Sequence, residues 1–297
     1  MATAVEWGCP VIHVATCIAC GRCVSICPSY CLRLQDGKPV VDSGGPFGCL
    51  ACGHCMAVCP SGAIRVTGRG MKGGEVFPLP LPSARATAEA LEGMMQARRS
   101  ARHYENRPVE KPVMDRLLAM SATAPMGFPP SPVGVVVING RDRVQELAHD
   151  LVAAFKKWRF LKTPVGSILL RFMMDKPSVE LMKNFVLPVV DTIIEARKEG
   201  RDLLFYDAPC VMVFHSPLKD PVEPAIASSF ATLAAEGLGL GSCMIGTVAP
   251  ALQGDKRLRA CWGIPAKNFP SMAMTLGYPS VTFPNGIHRR FASVEFV

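Results

Sequence analysis

The chain has 297 residues, a length that allows about two domains. With 49% hydrophobic and 19% charged residues its composition is that of a globular protein, which excludes a disordered or collagen-like chain. The formal net charge of +8 is compatible with a nucleic acid, an anionic membrane or an acidic protein as a partner.

Targeting and membrane signals are weak along the whole chain. The N-terminal residues MATAVEWGC have no basic start and no long apolar stretch, which argues against a secretory signal and predicts a cytoplasmic protein. The longest uncharged run, 117–140, is long enough to cross a bilayer, but four prolines between positions 125 and 132 would interrupt a helix. We therefore expect no membrane span. In a reducing cytoplasm, the ten cysteines from Cys9 to Cys59 are expected to bind metal rather than form disulfides.

An internal repeat occupies the N-terminal region. Residues 17–34 align with residues 49–66 at an offset of 32, and nine of the 18 positions are identical. Each copy reads C-x-x-C-x-x-C-x-x-x-C-P, the spacing of bacterial two-cluster ferredoxins. Three closely spaced cysteines can wrap one cube, but the same short loop cannot easily bring the fourth cysteine round, so the fourth is expected to serve the other cluster. The first 4Fe-4S cluster is thus assigned to Cys17, Cys20, Cys23 and Cys59, and the second to Cys49, Cys52, Cys55 and Cys27.

Zinc is the alternative occupant of these cysteines. Structural zinc needs only two C-x-x-C pairs per metal, so the third cysteine of each triplet and the two Cys-Pro pairs favour the clusters. Cys9 and Cys31 lie outside the pattern, and Ala63 stands at the position of Cys31 in the second copy, so both are interpreted as small buried or surface thiols. A module of residues 1–70 is too small to be stable on an apolar core alone, so the clusters are expected to stabilise it.

A glycine-rich and then proline-rich linker, 71–83, leads to the second domain, 84–297. Ser83 is predicted to cap a helix that runs to about Arg98, and 112–122 to form another helix. Strands separated by helices predict an α/β or α+β layer whose order the sequence leaves open. The predicted strands are 133–139 (buried), 209–215, 242–246 and 272–276, and the further predicted helices are 141–161, 178–199 and 223–238.

Three segments of the second domain suit an anionic, flat cofactor. An Arg/Ser cluster at 98–102 can bind a phosphate, although for such a cluster by itself a solvated basic helix end is the commoner explanation. A glycine-rich turn at 237–242 lets the backbone approach a ring system closely, and 288–290 adds a second basic group.

These segments together resemble the nitroreductase family of FMN flavoproteins. The similar motifs are RRSARHY at 98–104, APM at 124–126, GLGLGSCMIG at 237–246 and HRRF at 288–291, and the resemblance spans about 84–297. It implies an α+β protein in which a small ferredoxin-like iron–sulfur module precedes a three-layer α/β/α flavin domain, in a homodimer that binds FMN at its interface. The implied FMN contacts are Arg98, Arg99, Ser100, Arg102, Gly241, Ser242, Met244, Ile245, Gly246, Arg289 and Arg290.

The resemblance assigns roles within this set. Arg98, Ser100 and Arg102 would hold the phosphate, the ribityl chain and the pyrimidine edge, and Arg289 or Arg290 would complete the phosphate site. Residues 244–246 would lie beside the isoalloxazine, with a backbone N–H near its N5. The sequence departs from the family at 126–132, where an apolar, proline-rich run replaces polar residues, and this predicts a hydrophobic or aromatic substrate.

Other candidate features are interpreted structurally. Cys210, Cys243 and Cys261 lie in apolar segments and are predicted to be core thiols. The basic and aromatic run 156–162 is interpreted as a solvated helix face or an active-site lid rather than a nucleic-acid contact. No G-x-G-x-x-G nicotinamide motif follows a predicted strand.

The sequence therefore predicts an FMN-dependent, iron–sulfur oxidoreductase of the cytoplasm. A low-potential donor such as ferredoxin would supply electrons through the two clusters to FMN, which would reduce a small nitro, quinone or conjugated compound. The alternative is an electron carrier or redox-sensing adaptor without small-molecule turnover. Cluster thiolates and the FMN phosphate offset most of the positive charge, so no nucleic-acid partner is required.

Overall fold

The computed structural model describes residues 6–42, 48–127 and 131–296. The chain divides into two compact units, Met1–Arg85 with Met126–Pro132, and Ala86–Pro125 with Val133–Val297. Two features of the sequence lie outside the described residues, namely the first five residues of the N terminus and residues 128–130 of the proline-rich run.

The first unit consists of two halves that follow the internal repeat. Each half holds a short helix that begins after a glycine of positive φ, 71° at Gly21 and 75° at Gly53. Glycine adopts this conformation without steric cost, so the chain can turn into the helix directly after the second cysteine of each motif. The elements are α1 (Arg22–Ser25), α2 (His54–Val58), β1 (Cys9–Ile12), β2 (Leu32–Gln35), β3 (Lys38–Val41), β4 (Ile64–Gly68) and β5 (Met71–Lys72).

Short antiparallel strands close each half of this unit. Strand β4 lies between β1 and β5, while β2 and β3 form a separate hairpin. The hairpin turns at Asp36 and Gly37, both with positive φ, as a two-residue turn between twisted strands requires. The buried cluster of this unit has nine members and four of them are cysteines, so thiols contribute as many side chains to its centre as aliphatic residues do.

A four-stranded sheet forms the centre of the second unit. Its order is β6 (Gly134–Asn139), β7 (Cys210–Ser216), β9 (Phe269–Gly277) and β8 (Gly241–Met244), and every pairing is antiparallel. An antiparallel sheet with helices between its strands is the α+β arrangement. The helices are α3 (Ala88–Ala97), α4 (Lys111–Ser121), α5 (Arg141–Trp158), α6 (Pro164–Met173), α7 (Lys176–Leu181), α8 (Leu187–Lys198), α9 (Val222–Gly237), α10 (Val248–Gly254) and α11 (Lys256–Cys261).

Helices cover both faces of this sheet. Val211 and Val213 of β7 share a buried core with side chains of α5, α8 and α10. Because neighbouring residues of a strand point to opposite faces, Met212 and Phe214 point to the other side, where α9 packs on β7, β8 and β9. The predicted three-layer α/β/α arrangement is therefore confirmed.

Several boundaries differ from the sequence prediction. The helix expected after Ser83 begins at Ala88, because the Thr87 side chain accepts a hydrogen bond from the Ala90 N–H (3.2 Å), whereas Ser83 lies in a single 3₁₀ turn. The strand at 133–139 was expected to be buried, but β6 lies at one end of the sheet and most of its side chains are only half-buried. The first difference is a local choice between two possible caps, whereas the second depends on the position of β6 in the sheet, which local propensity does not encode.

Helix α6 is absent from the sequence prediction, as are α10 and α11. Thr163 caps α6 by accepting a hydrogen bond from the Gly166 N–H (3.2 Å), and Pro164 occupies its first position, both ordinary helix-start signals. Its apolar side chains are largely exposed, for example Phe172 at 86% and Met173 at 72%. A π-helical segment, Met182–Val186, joins α7 to α8.

A buried histidine gives the second unit a pH-dependent stability. His215 of β7 is 6% exposed, and its Nδ1 lies 2.8 Å from Nδ2 of Asn268. Burial lowers the pKa of His215, so the unfolded chain binds a proton near the ordinary value of about 6.5 while the folded chain does not. Stability should therefore fall as the pH drops below about 6.5, by up to about 1.4 kcal/mol per pH unit.

This dependence can be measured by urea unfolding followed by the fluorescence of Trp158 and Trp262, both in the second unit. Between pH 7 and 5.5, His215→Gln should flatten the slope, whereas His149→Gln, at an exposed site on α5, should retain it. Equal slopes in the two variants would assign the acid sensitivity to other groups.

Within the three described ranges, no helix is long and apolar enough to cross a membrane.

Candidate functional site

The first unit contains a cavity lined by four cysteines from both halves of the repeat. Cys17, Cys20 and Cys23 come from the loop before α1 and its first turn, and Cys59 comes from the end of α2. These are the four residues that the sequence assigned to one cluster. Arg22 and Ala63 also line this cavity.

A second cavity has the complementary composition. Cys49, Cys52 and Cys55 are joined there by Cys27 from the first half. The structure therefore brings together both predicted sets, each with its fourth member from the other half. Cys31, which the sequence treated as a bystander, also lines this cavity and is 5% exposed.

Backbone N–H groups point at the sulfurs of these cavities. The N–H of Ala19 donates to Cys17 Sγ (3.4 Å) and that of Ala51 donates to Cys49 Sγ (3.4 Å), an identical contact in the two copies. Ala19 and Ala51 both have a φ of 55°, which turns the peptide toward the sulfur. Donors of this kind stabilise thiolates, the protonation state that ligates iron.

Burial of the cysteine side chains opposes these donors, because it raises the pKa of a thiol whereas the hydrogen bonds lower it. It raises the pKa of the Cys55 thiol to about 12 and also raises those of Cys23 and Cys49. At Cys59, burial raises the pKa, but hydrogen bonds from Ser61 and from the Ala63 N–H (3.3 Å) outweigh it, so the pKa is lowered. Buried thiolates need a compensating cation, and a cluster's iron supplies it, so the donor set fits two iron–sulfur clusters. Among the described residues, no three His, Cys, Asp or Glu side chains are arranged around a single-ion site.

The second unit contains a larger pocket at the end of α3, of about 770 Å³. Arg98, Arg99, Ser100, Arg102 and Arg289, all predicted cofactor contacts, line it. Arg290 and residues 241–246 do not line it. His288, from the basic group at 288–290, also lines it, and the lining residues that the sequence did not single out are Glu92, Met95, Gln96, Phe283, Gly286 and Ile287.

Two of the pocket arginines differ in what they contact. Arg99 uses its guanidinium on backbone oxygens, since Nη1 donates to Gln96 O (2.6 Å) and Arg98 O (2.8 Å), and Nη2 donates to Asn285 O (3.5 Å). Arg99 thus joins α3 to the C-terminal segment that carries Arg289. Arg102 lies over the ring of Tyr206, 5.6 Å from its centroid. Tyr206 has a φ of 57° and no sequence pattern marks it.

A short strand pairing joins the Ser100 segment, which lines the pocket, to β8. Ser100 pairs with Ser242 in parallel, and the Ala101 N–H donates to Ser242 O (2.9 Å). The adjoining Ile245 is buried and its N–H donates to Ala273 O (2.8 Å), so this N–H already has a partner in the protein. Met244 is half-buried and Gly246 is exposed, so both positions are accessible from the surface.

The buried Tyr104 side chain stabilises the pairing between the Ser100 segment and β8. Its hydroxyl donates to Ala101 O (2.7 Å) and lies 2.7 Å from the Thr275 hydroxyl of β9. Burial raises the pKa of Tyr104 well above its ordinary value, so it stays neutral and acts as a fixed hydrogen-bonding support.

We expect Gly241→Ala to destabilise the second unit by about 1–3 kcal/mol. A Cβ at this position would lie 2.6 Å from Cβ of Ala101 and 3.2 Å from Cβ of Pro279, so β8 and the Ser100 segment would have to separate. The midpoint of urea unfolding measures the loss. Gly254→Ala is the control, because open space surrounds Gly254; equal stability of the two variants would contradict the packing argument.

The remaining candidates are structural. Cys210 and Cys243 are buried core thiols as predicted, but Cys261 is exposed because it ends α11 at the surface. The basic run 156–162 is paired with acidic side chains, since Arg159 contacts Asp191 (3.3 Å) and Glu195 (2.7 Å), and Lys162 also binds Asp191. This supports a solvated helix face.

Comparison with protein families gives two matches. Residues 95–278 match the model of the Nitroreductase family, and residues 16–63 match that of the 4Fe-4S dicluster domain. The second match confirms the prediction of two 4Fe-4S clusters. A search of curated proteins finds no match.

Solved structures with a similar fold include two nitroreductases with bound FMN. One, from Bacteroides fragilis, has 20% identity and a TM-score of 0.51, and the match covers 70% of this chain and 98% of that chain. Another, from Desulfitobacterium hafniense, has 20% identity and a TM-score of 0.50, with coverages of 69% and 98%. An FMN-dependent nitroreductase from Clostridium difficile has 18% identity and a TM-score of 0.50, with coverages of 71% and 100%. At these identities the likeness shows the fold.

Proposed function

Because the chain belongs to the nitroreductase family, we propose that it is an iron–sulfur flavoprotein that reduces a small apolar nitro, quinone or conjugated compound with electrons from a low-potential carrier such as ferredoxin. The observation that carries this proposal is that one chain combines two cysteine-lined cavities with an arginine-lined pocket on a nitroreductase-like fold.

Each cofactor has a defined set of proposed contacts. The clusters bind to the eight repeat cysteines in the crossed sets described above. FMN binds in the 770 Å³ pocket, where Arg98 and Arg289 hold its phosphate and Ser100 and Arg102 hold the ribityl chain and the pyrimidine edge. Met244 and Gly246 lie along its ring. Arg99 supports the site by fixing the C-terminal segment.

The cofactors divide the chemistry between them. When bound, the clusters carry single electrons and FMN couples them to the two-electron reduction of an organic substrate. The protein's own side chains bind and orient: the arginines neutralise the FMN phosphate, and the buried Tyr104 keeps the Ser100 segment paired with β8. The apolar run at 126–132 favours a hydrophobic or aromatic substrate.

The proposed domains are 1–70 for the iron–sulfur module, 71–83 for the linker and 84–297 for the flavin domain, in a cytoplasmic homodimer with FMN at its interface. An exposed apolar face on α6 supports the dimer, because faces of this kind on a folded protein mark contact surfaces. Its exposed members include Val165, Ile168, Phe172 and Met173.

Anaerobic reconstitution of the full chain tests the proposal. We expect about eight irons per chain, together with flavin absorption peaks over broad iron–sulfur absorbance. The reconstituted protein should then turn over members of a nitroaromatic, quinone and enone panel with reduced ferredoxin as the donor. A parallel assay with NAD(P)H tests whether a nicotinamide reduces the flavin directly.

Two results would count against parts of the proposal. Absence of flavin after reconstitution would contradict the FMN site. A protein that binds all cofactors and passes electrons to an acceptor protein, yet reduces no compound of the panel, would instead support an electron carrier or redox-sensing adaptor.

A further inference from the structure

Cys31 lies inside the second cysteine cavity although it belongs to neither set of cluster cysteines. It is 5% exposed, and its Sγ lies 3.6 Å from Sγ of Cys27. The hydroxyl of Ser29 lies 3.6 Å from the same Cys31 sulfur and 3.7 Å from the Cys27 sulfur. The Ser29 hydroxyl and the Cys31 thiol therefore both lie beside the sulfur of Cys27, the ligand that the first half contributes to this cavity.

The first cavity lacks this thiol. Cys59 is the equivalent of Cys27, and Ser61 lies 3.7 Å from it, as Ser29 does from Cys27. The position equivalent to Cys31, however, is Ala63, which lines the first cavity. The two halves thus match in the serine and differ in one thiol, which gives the second cavity an additional hydrogen-bonding group.

The direction of the hydrogen bond follows from iron ligation. A cysteine bound to iron is a thiolate and carries no proton, so it can only accept. Between Cys27 and Cys31, the donor is then the Cys31 S–H. Hydrogen bonds to cluster sulfurs are among the factors that set the potential, because they favour the reduced and more negative state.

We propose that Cys31 is a positioning residue of the second cluster, which donates a hydrogen bond to its ligand Cys27 and thereby raises the reduction potential of that cluster. The inference rests on the proposed ligand set, in which Cys27 binds iron and Cys31 does not. Its consequence is that two clusters held by nearly identical loops take up electrons at different potentials.

Three variants of the full chain, reconstituted anaerobically, test this role. Cys31→Ala removes the donor and introduces the residue that the first half already accommodates at Ala63. Cys31→Ser keeps an O–H donor. Ala63→Cys introduces the thiol into the first half. Redox titration followed by electron paramagnetic resonance measures the potential of each cluster separately.

Cys31→Ala should lower the potential of one cluster and leave the other unchanged, with a shift of about threefold to tenfold in its reduced-to-oxidised ratio at fixed potential, tenfold being about 59 mV for one electron. Cys31→Ser should restore most of the shift. Ala63→Cys should raise the potential of the other cluster. Iron content should stay at the wild-type value in all three variants.

Other outcomes distinguish a failure of the hydrogen-bonding role of Cys31 from a failure of the proposed cluster ligands. The hydrogen-bonding role would be overturned if Cys31→Ala left both reduction potentials unchanged. It would also be overturned if Cys31→Ser lowered the potential as much as Cys31→Ala does. Loss of about half of the iron in Cys31→Ala would make Cys31 itself a ligand and would overturn both the role and the assignment of Cys27. A wild-type chain that does not bind about eight irons would contradict the ligand set.

Discussion

A chain with Cys59→Ala should lose the same cluster as a chain with Cys20→Ala, although Cys59 follows the second cysteine triplet in the sequence. The reason is geometric, since Cys59 lines the cavity of Cys17, Cys20 and Cys23. Each variant should retain about four of eight irons. The electron paramagnetic resonance spectrum of the cluster that survives should be the same in both variants.

The converse pair sharpens this experiment. Cys27→Ala and Cys52→Ala should both remove the second cluster and leave the other spectrum. Cys9→Ala is the control, because Cys9 is exposed and lines neither cavity, and it should keep both clusters. If Cys59→Ala instead matched Cys52→Ala, each triplet would be completed by its own fourth cysteine and the crossed assignment would be wrong.

The second large effect concerns the arginine pocket. Arg98→Ala should weaken FMN binding by about 10- to 150-fold, because hydrogen bonds to charged groups contribute about 1.5–3 kcal/mol each. The dissociation constant can be measured by titrating the FMN-free protein with FMN and following the quenching of flavin fluorescence. The loss of FMN affinity should be larger in the double variant that combines Arg98→Ala with Arg289→Ala, since both side chains line the same pocket.

Arg107→Ala provides the matched control for charge. Arg107 is nearby in sequence and exposed, its guanidinium lies 3.7 Å from the centroid of the Tyr278 ring, and it pairs with Glu110 at 2.8 Å. It does not line the pocket. Equal weakening by Arg98→Ala and Arg107→Ala would mean that the overall positive charge attracts FMN and that the pocket does not bind it specifically.

The cysteine arrangement was the most predictable part of this protein. Spacing of three residues within a motif constrains the loop so tightly that the two crossed sets follow from the sequence, and the family and dicluster matches confirm the cofactor type. Which residues contact the cofactors stays a prediction. The contact of Cys31 with Cys27 was missed because it depends on how β2 leaves the cavity, and no repeat pattern encodes that; the Ala63 substitution was the only signal.

In the second unit, the central strands and the buried helix α9 were easier to predict from the sequence than the surface helix α6 and the loop of Tyr206. The long apolar runs predicted β7 and α9 to within one residue of their observed bounds, whereas the prediction of 272–276 for β9 covered only the C-terminal part of Phe269–Gly277. Helix α6 was missed although the sequence carries its start signals at Thr163 and Pro164; because its apolar side chains stay exposed within one chain, packing against the core does not define it. Tyr206 acquires its position over Arg102 from a loop held by the Asp202 carboxylate, which accepts from the N–H groups of Leu204 and Phe205 (3.0 and 2.9 Å).

The bond from Arg99 to Asn285 has a consequence for the order in which the protein matures. During synthesis, domains fold from the N terminus as they emerge. All eight cluster cysteines are available once residue 59 has emerged, whereas the arginine pocket needs a side chain at 289 and a backbone oxygen at 285. The iron–sulfur unit can therefore acquire its metal before residues 285 and 289 have been made, whereas the flavin pocket is completed only after they have emerged.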